Sequence, residues 1–194
     1  MFIVFEGGDG VGKSTQANAL ADWLRGQGRE VVLTFEPGDT PAGAHIREIL
    51  LDPATGELPP SAEALLYVAD KAIHVEQVIR PALARGAVVI CDRYVDSMLA
   101  YQGAGRILDI SELESLAAWA TGGLRPDLTV LLDLDPAEAM AEIETPDRLE
   151  AEGADFHQRV REHYLALADK PGYVVIPARL PADEIAARVR AALG

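Results

Sequence analysis

Residues 7–14 read Gly7-Gly8-Asp9-Gly10-Val11-Gly12-Lys13-Ser14. The pattern Gly-x-x-x-x-Gly-Lys-Ser is typical of a loop that binds the phosphates of a nucleotide. Gly7 and Gly12 allow turns and a close backbone approach that a side chain would block, and the freed N–H groups can then bind phosphate oxygens. We expect Lys13 to reach the β- and γ-phosphates and the Ser14 hydroxyl to bind magnesium.

The segments on either side of this loop support that prediction. Phe2–Phe5 is a short apolar run that suits a buried strand. The segment Thr15–Arg25 has apolar residues at the spacing of one helix face, namely Ala17, Leu20, Ala21 and Leu24. Phosphate would therefore lie at a helix N-terminus, where the dipole and the unpaired N–H groups favour anions.

The composition limits the class of protein. The chain has 194 residues, of which 49% are hydrophobic, which predicts one domain over residues 1–194 with an ample core. No apolar run approaches the roughly 18 residues of a membrane span, and the strand at the N-terminus leaves no room for a signal peptide. Cys91, the single cysteine, excludes an internal disulfide and suits a reducing, cytoplasmic location. Its place at the end of an apolar run favours a core residue over a reactive thiol.

The charge of the chain limits its partners. The formal net charge is −14, whereas a protein that binds a long stretch of nucleic acid needs a basic stripe, and none is present. We therefore expect small-molecule partners and no nucleic acid. An acidic excess repels nucleotides at long range, so a nucleotide site must depend on local Lys, Arg and N–H groups and on magnesium.

Strand and helix patterns alternate along the chain. Further strands are predicted at Val31–Phe35, Ala87–Cys91, Leu128–Leu134 and Tyr173–Ile176. Helices are predicted around Ile46–Leu50, from an N-cap at Ser61 to a kink near Pro81, from a Ser111/Glu114 capping box to Thr121, from Asp135, over Glu152–Leu167, and over Pro181–Leu193. Five strands alternating with helices predict an α/β fold, a doubly wound parallel sheet in a three-layer sandwich.

Polar residues follow the carboxyl ends of these strands, where ligands bind in such sheets. The ends carry Glu6-Gly7, Glu36-Pro37, Asp92-Arg93 and Asp133-Leu134-Asp135. We therefore expect the chemistry to converge on one edge of the sheet.

Three charged residues at this edge each have two interpretations. Asp92 follows an apolar strand and can hold magnesium directly or through water, or it caps the next turn. Arg93 can grip a second phosphate bidentately, or it forms a structural ion pair. Asp9 would repel phosphate, so it faces a sugar hydroxyl or magnesium, or it bonds its own backbone.

Five segments occur in an order that is typical of one family. They are Phe5–Thr15, Glu36-Pro37-Gly38, Asp92-Arg93-Tyr94, Ala100-Tyr101-Gln102-Gly103 and Arg125–Thr129. On these segments the whole chain resembles the thymidylate kinases, nucleoside monophosphate kinases with the P-loop fold. The resemblance implies transfer of the γ-phosphoryl group of ATP to dTMP, with magnesium, for dTTP synthesis by a homodimer. Asp-Arg-Tyr is shared with deoxynucleoside kinases, and the ordered set is far more specific.

The resemblance also implies roles for individual residues. It assigns ATP binding to Gly7, Gly8, Asp9, Gly10, Val11, Gly12, Lys13, Ser14 and Thr15. It assigns substrate binding to Asp9, Glu36, Arg47, Tyr67, Lys71, Arg93, Met98, Tyr101 and Gln102. It assigns magnesium to Ser14 and Asp92, and catalysis to Lys13, Arg93, Asp9 and Arg148.

The resemblance assigns five of these residues to particular parts of the acceptor nucleotide. By resemblance, Asp9 contacts the sugar 3′-hydroxyl, and Arg93 binds the acceptor phosphate with Arg47 nearby. Tyr67 stacks on thymine, and Tyr101 packs on the sugar and disfavours a 2′-hydroxyl. No general base is needed, because the acceptor phosphate oxygen is already anionic near neutral pH.

The chain departs from the family pattern at the donor phosphates. The family places an arginine there from the phosphate loop or from a mobile lid, but this loop has Gly10. The lid, at about residues 139–148, has neither Arg nor Lys over Ala139–Pro146. Arg148 is the nearest basic residue. Without an arginine at the donor phosphates we expect slow turnover, unless Arg148 or Arg159 takes its place.

The chain also departs from the pattern around the acceptor. Lys71 stands where the family has an arginine at the thymine edge, Met98 where a small polar residue or Asn meets the base, and Asp39 where a loop glycine is usual. Two further functions therefore stay open: a kinase for another nucleoside monophosphate or a deoxynucleoside, and a nucleotide-binding protein with little transfer activity. A GTPase switch is not favoured, because no Asn-Lys-x-Asp motif occurs.

Overall fold

A parallel sheet forms the centre of the protein in the computed structural model, which describes residues 1–141 and 143–194. Its strands are β1 (Phe2–Glu6), β2 (Val31–Phe35), β3 (Val88–Asp92), β4 (Leu128–Asp133) and β5 (Tyr173–Pro177). In this part of the chain the strand order is β2-β3-β1-β4-β5. All four strand pairs are parallel, and β1 lies between β3 and β4. The connections diverge from β1, so a crevice opens at the carboxyl ends of the central strands.

Helices cover both faces of the sheet, which confirms the predicted three-layer α/β sandwich. They are α1 (Lys13–Gly26), α2 (Pro41–Leu51), α3 (Pro60–His74), α4 (Arg80–Ala84), α5 (Val95–Met98), α6 (Ile110–Thr121), α7 (Pro136–Met140), α8 (Ala154–Leu167) and α9 (Ala182–Ala191). Because side chains alternate along a strand, Ile3 and Phe5 pack on the face that α1 and α9 cover. Phe2 and Val4 pack on the opposite face against residues between Val75 and Ala87.

The kink predicted near Pro81 is a π-helical turn. Residues Val75–Ile79 form this turn between α3 and α4, and the Arg80 N–H donates to the Val75 carbonyl. Proline removes a donor and crowds the preceding turn, and the wider π turn accommodates it.

The segment after Arg93 is helical, which the sequence patterns did not predict. The short helix α5 continues into a π-helical segment, Leu99–Gly105. A side chain at Gly105 would begin 2.5 Å from the Phe156 ring of α8, so glycine permits this close packing. The segment positions Tyr101 and Gln102 near the carboxyl ends of the central strands.

Two of the predicted helix caps are wrong. Ser61 lies inside α3, which starts at Pro60 with Pro59 at the cap, because the fixed φ of proline suits a first helical position. The Ser111/Glu114 capping box is replaced by Asp109, whose carboxylate accepts the Glu112 N–H. The Ser111 hydroxyl donates to this carboxylate instead.

Candidate active site

One cavity of about 540 Å³ opens at the carboxyl ends of β1, β2 and β3. Many of the residues predicted to bind donor or acceptor line it: Asp9, Gly10, Lys13, Ser14, Glu36, Arg47, Tyr67, Lys71, Asp92, Arg93, Tyr101 and Gln102. The structure therefore brings the loop between β1 and α1 together with the residues that follow β2 and β3.

The loop between β1 and α1 depends on its glycines. Gly7 has φ 135°, and a side chain there would collide with the Leu132 carbonyl. Gly10 has φ 72°, and its added Cβ would lie 2.7 Å from the carbonyl oxygen of Ala139. This part of the loop therefore has no room for a side chain, which explains why it supplies no arginine.

Lys13 begins helix α1 and is nearly fully buried at the cavity. Its Nζ donates to the carbonyl of Gly8 over 2.5 Å. Burial, with the nearby Arg93 guanidinium, lowers the pKa of Lys13 to about 8, against the opposing effect of Asp9 and Asp92. An anionic ligand at the start of α1 would relieve this penalty, because it pairs with the ammonium.

Two side-chain oxygens meet beside Lys13. The Ser14 hydroxyl donates to Asp92 Oδ2 over 2.5 Å, although the two residues are 78 positions apart. Among residues 1–141 and 143–194, no group of three or more His, Cys, Asp or Glu side chains is placed to hold a metal. Any cation here would need further oxygens from water or from a ligand.

Arg93 is the centre of the hydrogen-bond network in the cavity. Its φ of 69° is left-handed, a conformation that costs a non-glycine residue energy and that clusters at functional sites. Its guanidinium donates to Asp9 Oδ1, to Gly7 O over 3.0 Å, to Ser97 Oγ over 3.1 Å and to Tyr101 OH over 3.2 Å. The Tyr101 hydroxyl in turn donates to Asp9 Oδ2 over 2.6 Å, so Asp9 pairs with Arg93 and not with its own backbone.

Glu6 lies beneath this network and supports it; the sequence analysis placed it at the ligand edge of the sheet but predicted no role for it. Its carboxylate accepts the Tyr94 N–H over 2.9 Å, the Ser97 hydroxyl over 2.6 Å and the Tyr164 hydroxyl over 3.0 Å. Ser97 and Tyr164 also contact Arg93. Burial, with the Asp96 charge, raises the pKa of Glu6 to about 7. The sequence signal for this residue was an acid at the end of an otherwise apolar strand.

Lys71 lines the cavity, but its ammonium is already paired. Its Nζ donates to Glu36 Oε2 over 2.5 Å and to the Tyr94 carbonyl over 2.9 Å. Glu36 also bonds His74 Nδ1 over 2.8 Å. Burial would raise the pKa of Glu36, but Lys71 and His74 outweigh it and lower that pKa. An ammonium with two of its three donors used has one left for a ligand.

Helix α3 contributes Tyr67 and Lys71 to the lining of the cavity, with Glu63 buried one turn before them, a face that helical spacing could have revealed. Glu63, Tyr67 and Lys71 recur every four residues, and all three are buried. Gln102 joins them, since its Nε2 donates to Glu63 Oε1 over 2.9 Å. Met98, by contrast, is 1% exposed and packs within the core, and it does not line the cavity.

Arg47 and Asp39 lie at the outer wall of the cavity. Arg47 is exposed on α2, and its Nη1 donates to the Pro37 carbonyl over 2.8 Å. Asp39 accepts from the Thr34 hydroxyl and is not among the residues with positive φ. Its replacement of a glycine therefore needs no special backbone conformation.

The remaining loop residues lie outside the large cavity. Gly7, Gly8 and Val11 line a smaller neighbouring space of about 20 Å³, whereas Gly12 and Thr15 are exposed at the start of α1.

Comparison with known proteins identifies the family. A thymidylate kinase family profile matches residues 5–189. The chain belongs to the thymidylate kinase family. A thymidylate kinase of Leifsonia xyli subsp. xyli is 57% identical over 198 residues, covering 100% of this chain and 94% of its own. One from Clavibacter sepedonicus is 56% identical over 197 residues, covering 98% and 93%. The crystal structure of thymidylate kinase from Ehrlichia chaffeensis has a TM-score of 0.84 at 32% identity, covering 100% of this chain and 98% of its own.

Membership of the thymidylate kinase family decides the class of chemistry. The chain is an ATP-dependent nucleoside monophosphate kinase with nucleotide substrates. The relatives do not favour the two other functions left open by the sequence. In the part of the chain that the structure describes, no helix is long and apolar enough to cross a membrane.

Arg148, at the end of the segment predicted to be a lid, is anchored by two hydrogen bonds. Arg148 Nη2 donates to Glu63 Oε2 over 2.5 Å, and its Nε donates to the Leu50 carbonyl over 2.7 Å. Arg159 donates to two carbonyls of the π segment. Neither lines the large cavity, so a contact with donor phosphates would require each to leave these partners. Glu142, within the predicted lid, lies outside the described residues.

Proposed function

We propose that the protein transfers the γ-phosphoryl group of ATP to dTMP, giving dTDP and ADP, across the 540 Å³ cavity. The observation that carries the proposal is the joint lining of this cavity. Lys13 and Ser14, at the N-terminus of α1, face the same space as Arg93, Tyr67 and Tyr101. A phosphate donor and a nucleotide acceptor can therefore meet without leaving the protein.

The donor phosphates would bind at the loop between β1 and α1, a P-loop of residues Gly7–Ser14 with Thr15 beside it. Its N–H groups and the dipole of α1 favour the anion. Lys13 would exchange its bond to Gly8 for the β- and γ-phosphates. The buried ammonium would then exchange a carbonyl partner for an anionic one, so its binding energy is directed to the phosphates.

Ser14 and Asp92 fit magnesium, because it takes oxygen ligands and is commonly bound by one or two protein groups plus water and substrate phosphates. Their 2.5 Å contact shows that both oxygens reach one point. Magnesium, when bound, would neutralise charge on the phosphoryl group being transferred.

The acceptor would bind along the opposite wall of the cavity. Arg93 has the fork of donors that matches a phosphate, and Arg47 adds charge at the outer wall. When Arg93 turns to the acceptor phosphate, it would release Asp9. The Asp9 carboxylate would then accept a hydrogen bond from the 3′-hydroxyl. Tyr67 supplies an aromatic face for the base, and Tyr101 supplies one for the sugar.

Catalysis then rests on alignment and charge neutralisation. The acceptor phosphate is already a nucleophile, and Arg93 and Lys13 would hold the two phosphates at van der Waals distance. A lid at about residues 139–148 would close over the donor. Because its described residues supply no cation before Arg148, we propose Arg148 as the donor-side arginine once it leaves Glu63.

We also propose a homodimer in the cytoplasm as the working form. The support is the family resemblance for the dimer and the single buried, unpaired cysteine for the compartment. Sedimentation equilibrium at micromolar concentration tests the dimer, and a mass of one chain, 20.8 kDa, would contradict it.

The test of the proposed reaction is ADP formation from magnesium-ATP with dTMP, dUMP, dCMP, dGMP and dAMP. Lys13→Ala serves as the blank, and Lys170→Ala, at an exposed lysine, serves as the matched control. We expect turnover selective for dTMP in the wild type and the control, and none in the blank. A preference of tenfold or more for another acceptor, or activity in the blank, would contradict the proposal.

A further inference from the structure

The carboxylate of Glu63 holds one end of the Gln102 amide beside the cavity. Gln102 lines the cavity and is 1% exposed. Its Nε2 donates to Glu63 Oε1 over 2.9 Å, and within the described residues its Oε1 has no hydrogen-bond partner. A buried carbonyl without a partner is costly, which points to a hydrogen-bond donor that arrives with a ligand.

Two arginines keep Glu63 ionised. Arg106 donates to both of its oxygens over 3.1 Å, and Arg148 donates to Oε2 over 2.5 Å. Burial would raise the pKa of Glu63, but the hydrogen bonds from Arg106, Gln102 and Arg148 outweigh it and lower that pKa. An ionised carboxylate can only accept hydrogen bonds.

An acceptor-only neighbour fixes which end of the Gln102 amide faces it. Reversing the amide would place two oxygen acceptors 2.9 Å apart and remove the hydrogen bond from Nε2 to Glu63. The amide therefore keeps its nitrogen on Glu63 and its carbonyl for another partner. This orientation follows from the charge of Glu63 and not from the shape of the amide, whose two ends are nearly the same size.

We propose that Glu63 is a positioning residue that makes the acceptor pocket selective for bases with a ring N–H. Thymine and uracil carry a donor at N3, which the Gln102 carbonyl can accept, whereas cytosine has an acceptor at N3. Two facing acceptors leave both unpaired, and a pocket built around a hydrogen bond strongly rejects the ligand that lacks it. This inference rests on the proposed function, and it names the feature of the acceptor that the site selects.

The test compares kcat/KM for dTMP, dUMP and dCMP in three proteins. They are the wild type, Glu63→Gln, and the control Glu152→Gln, which makes the same change at the other carboxylate that pairs with Arg106 and leaves Glu63, Arg106 and Arg148 in place. A glutamine at position 63 can donate or accept, so the Gln102 amide can reverse. We expect the ratio of dTMP to dCMP to fall about 10- to 100-fold in Glu63→Gln and to keep its wild-type value in Glu152→Gln.

The ratio of dTMP to dUMP provides the readout that a purely structural defect would not give. Both bases carry the N3 hydrogen, so this ratio is expected to stay constant in Glu63→Gln while the dCMP ratio changes. Equal losses with all three acceptors, or an unchanged dCMP ratio, would overturn the role of Glu63.

The wild type alone tests the orientation of Gln102 if Glu63→Gln does not fold. dTMP methylated at N3 lacks the hydrogen, and we expect its kcat/KM to be at least about 100-fold below that of dTMP. Equal use of the two would overturn the inference while leaving dTMP kinase activity intact. Turnover of none of the three pyrimidine nucleotides would overturn the proposed function, and the inference with it.

Discussion

Replacing Lys13 by methionine is expected to change the pH dependence of stability in a defined direction. Burial, with the neighbouring Arg93, lowers the pKa of Lys13 from its usual 10.5 to about 8 in the folded protein. The unfolded chain therefore binds this proton over a range in which the native protein has lost it. Wherever the unfolded state binds more protons, stability rises with pH, so the wild type gains stability relative to Lys13→Met as the pH rises above about 8.

The magnitude follows from the pKa difference. A difference of about 2.5 in pKa corresponds to about 3 kcal/mol over the whole range, of which about 2 kcal/mol is gained between pH 7 and pH 9.5. At pH 7 the wild type still carries the full cost of the buried ammonium. The bond to the Gly8 carbonyl needs no separate correction, because the difference in its strength between the two protonation states is already part of the pKa shift.

The assay is urea unfolding of the wild type and Lys13→Met at pH 7 and pH 9.5, with Lys170→Met as the control for loss of an exposed cation. We expect the stability difference between wild type and Lys13→Met to move by about 2 kcal/mol in favour of the wild type at pH 9.5. A difference that stays constant within about 0.5 kcal/mol would refute the burial argument for Lys13.

Three other changes have expected outcomes. Gly10→Ala meets the Ala139 carbonyl at a left-handed φ and should cost at least about 1–2 kcal/mol, read as a Tm drop of roughly 2–8 °C; an unchanged Tm would contradict the crowding. Glu144→Arg in the lid should raise kcat about tenfold, well short of the 10³–10⁵ of a preorganised arginine; an unchanged kcat in a folded variant counts against a missing lid charge. The folded pKa of Glu6, about 7, exceeds its usual 4.5, so the free energy of unfolding should fall by up to about 3 kcal/mol as the pH rises from about 4.5 to 7. In urea titrations Glu6→Gln should make the free energy of unfolding depend less on pH, and an unaltered pH dependence would exclude Glu6 as its source.

The sheet and its ligand edge could be predicted from the sequence, because both depend on local patterns. Apolar runs such as Phe2–Phe5 and 87–91 have the length and burial of parallel strands. The Gly7–Ser14 motif fixes the loop that follows β1, since few residues tolerate its backbone. Parallel strands then bring Asp92 and Glu36 to the same edge without further information.

The parts that sequence patterns did not predict depend on contacts between distant residues. The π-helical segment Leu99–Gly105 has no apolar period that distinguishes it from a loop, and its packing depends on Gly105 meeting Phe156. The pairing of Glu63 with Arg148 joins residues 85 positions apart, and only the fold reveals it. Met98 was predicted to bind substrate because of its position in the family's sequence order. The structure instead places its side chain in the core.

The most direct test of the central claim, that donor and acceptor meet in one cavity, is an initial-rate matrix varying magnesium-ATP against dTMP. Direct transfer needs both nucleotides bound together, so we predict double-reciprocal lines that intersect. Parallel lines, together with label retained on the protein from γ-labelled ATP without acceptor, would show a covalent phosphoenzyme and would contradict transfer across the Lys13–Arg93 cavity.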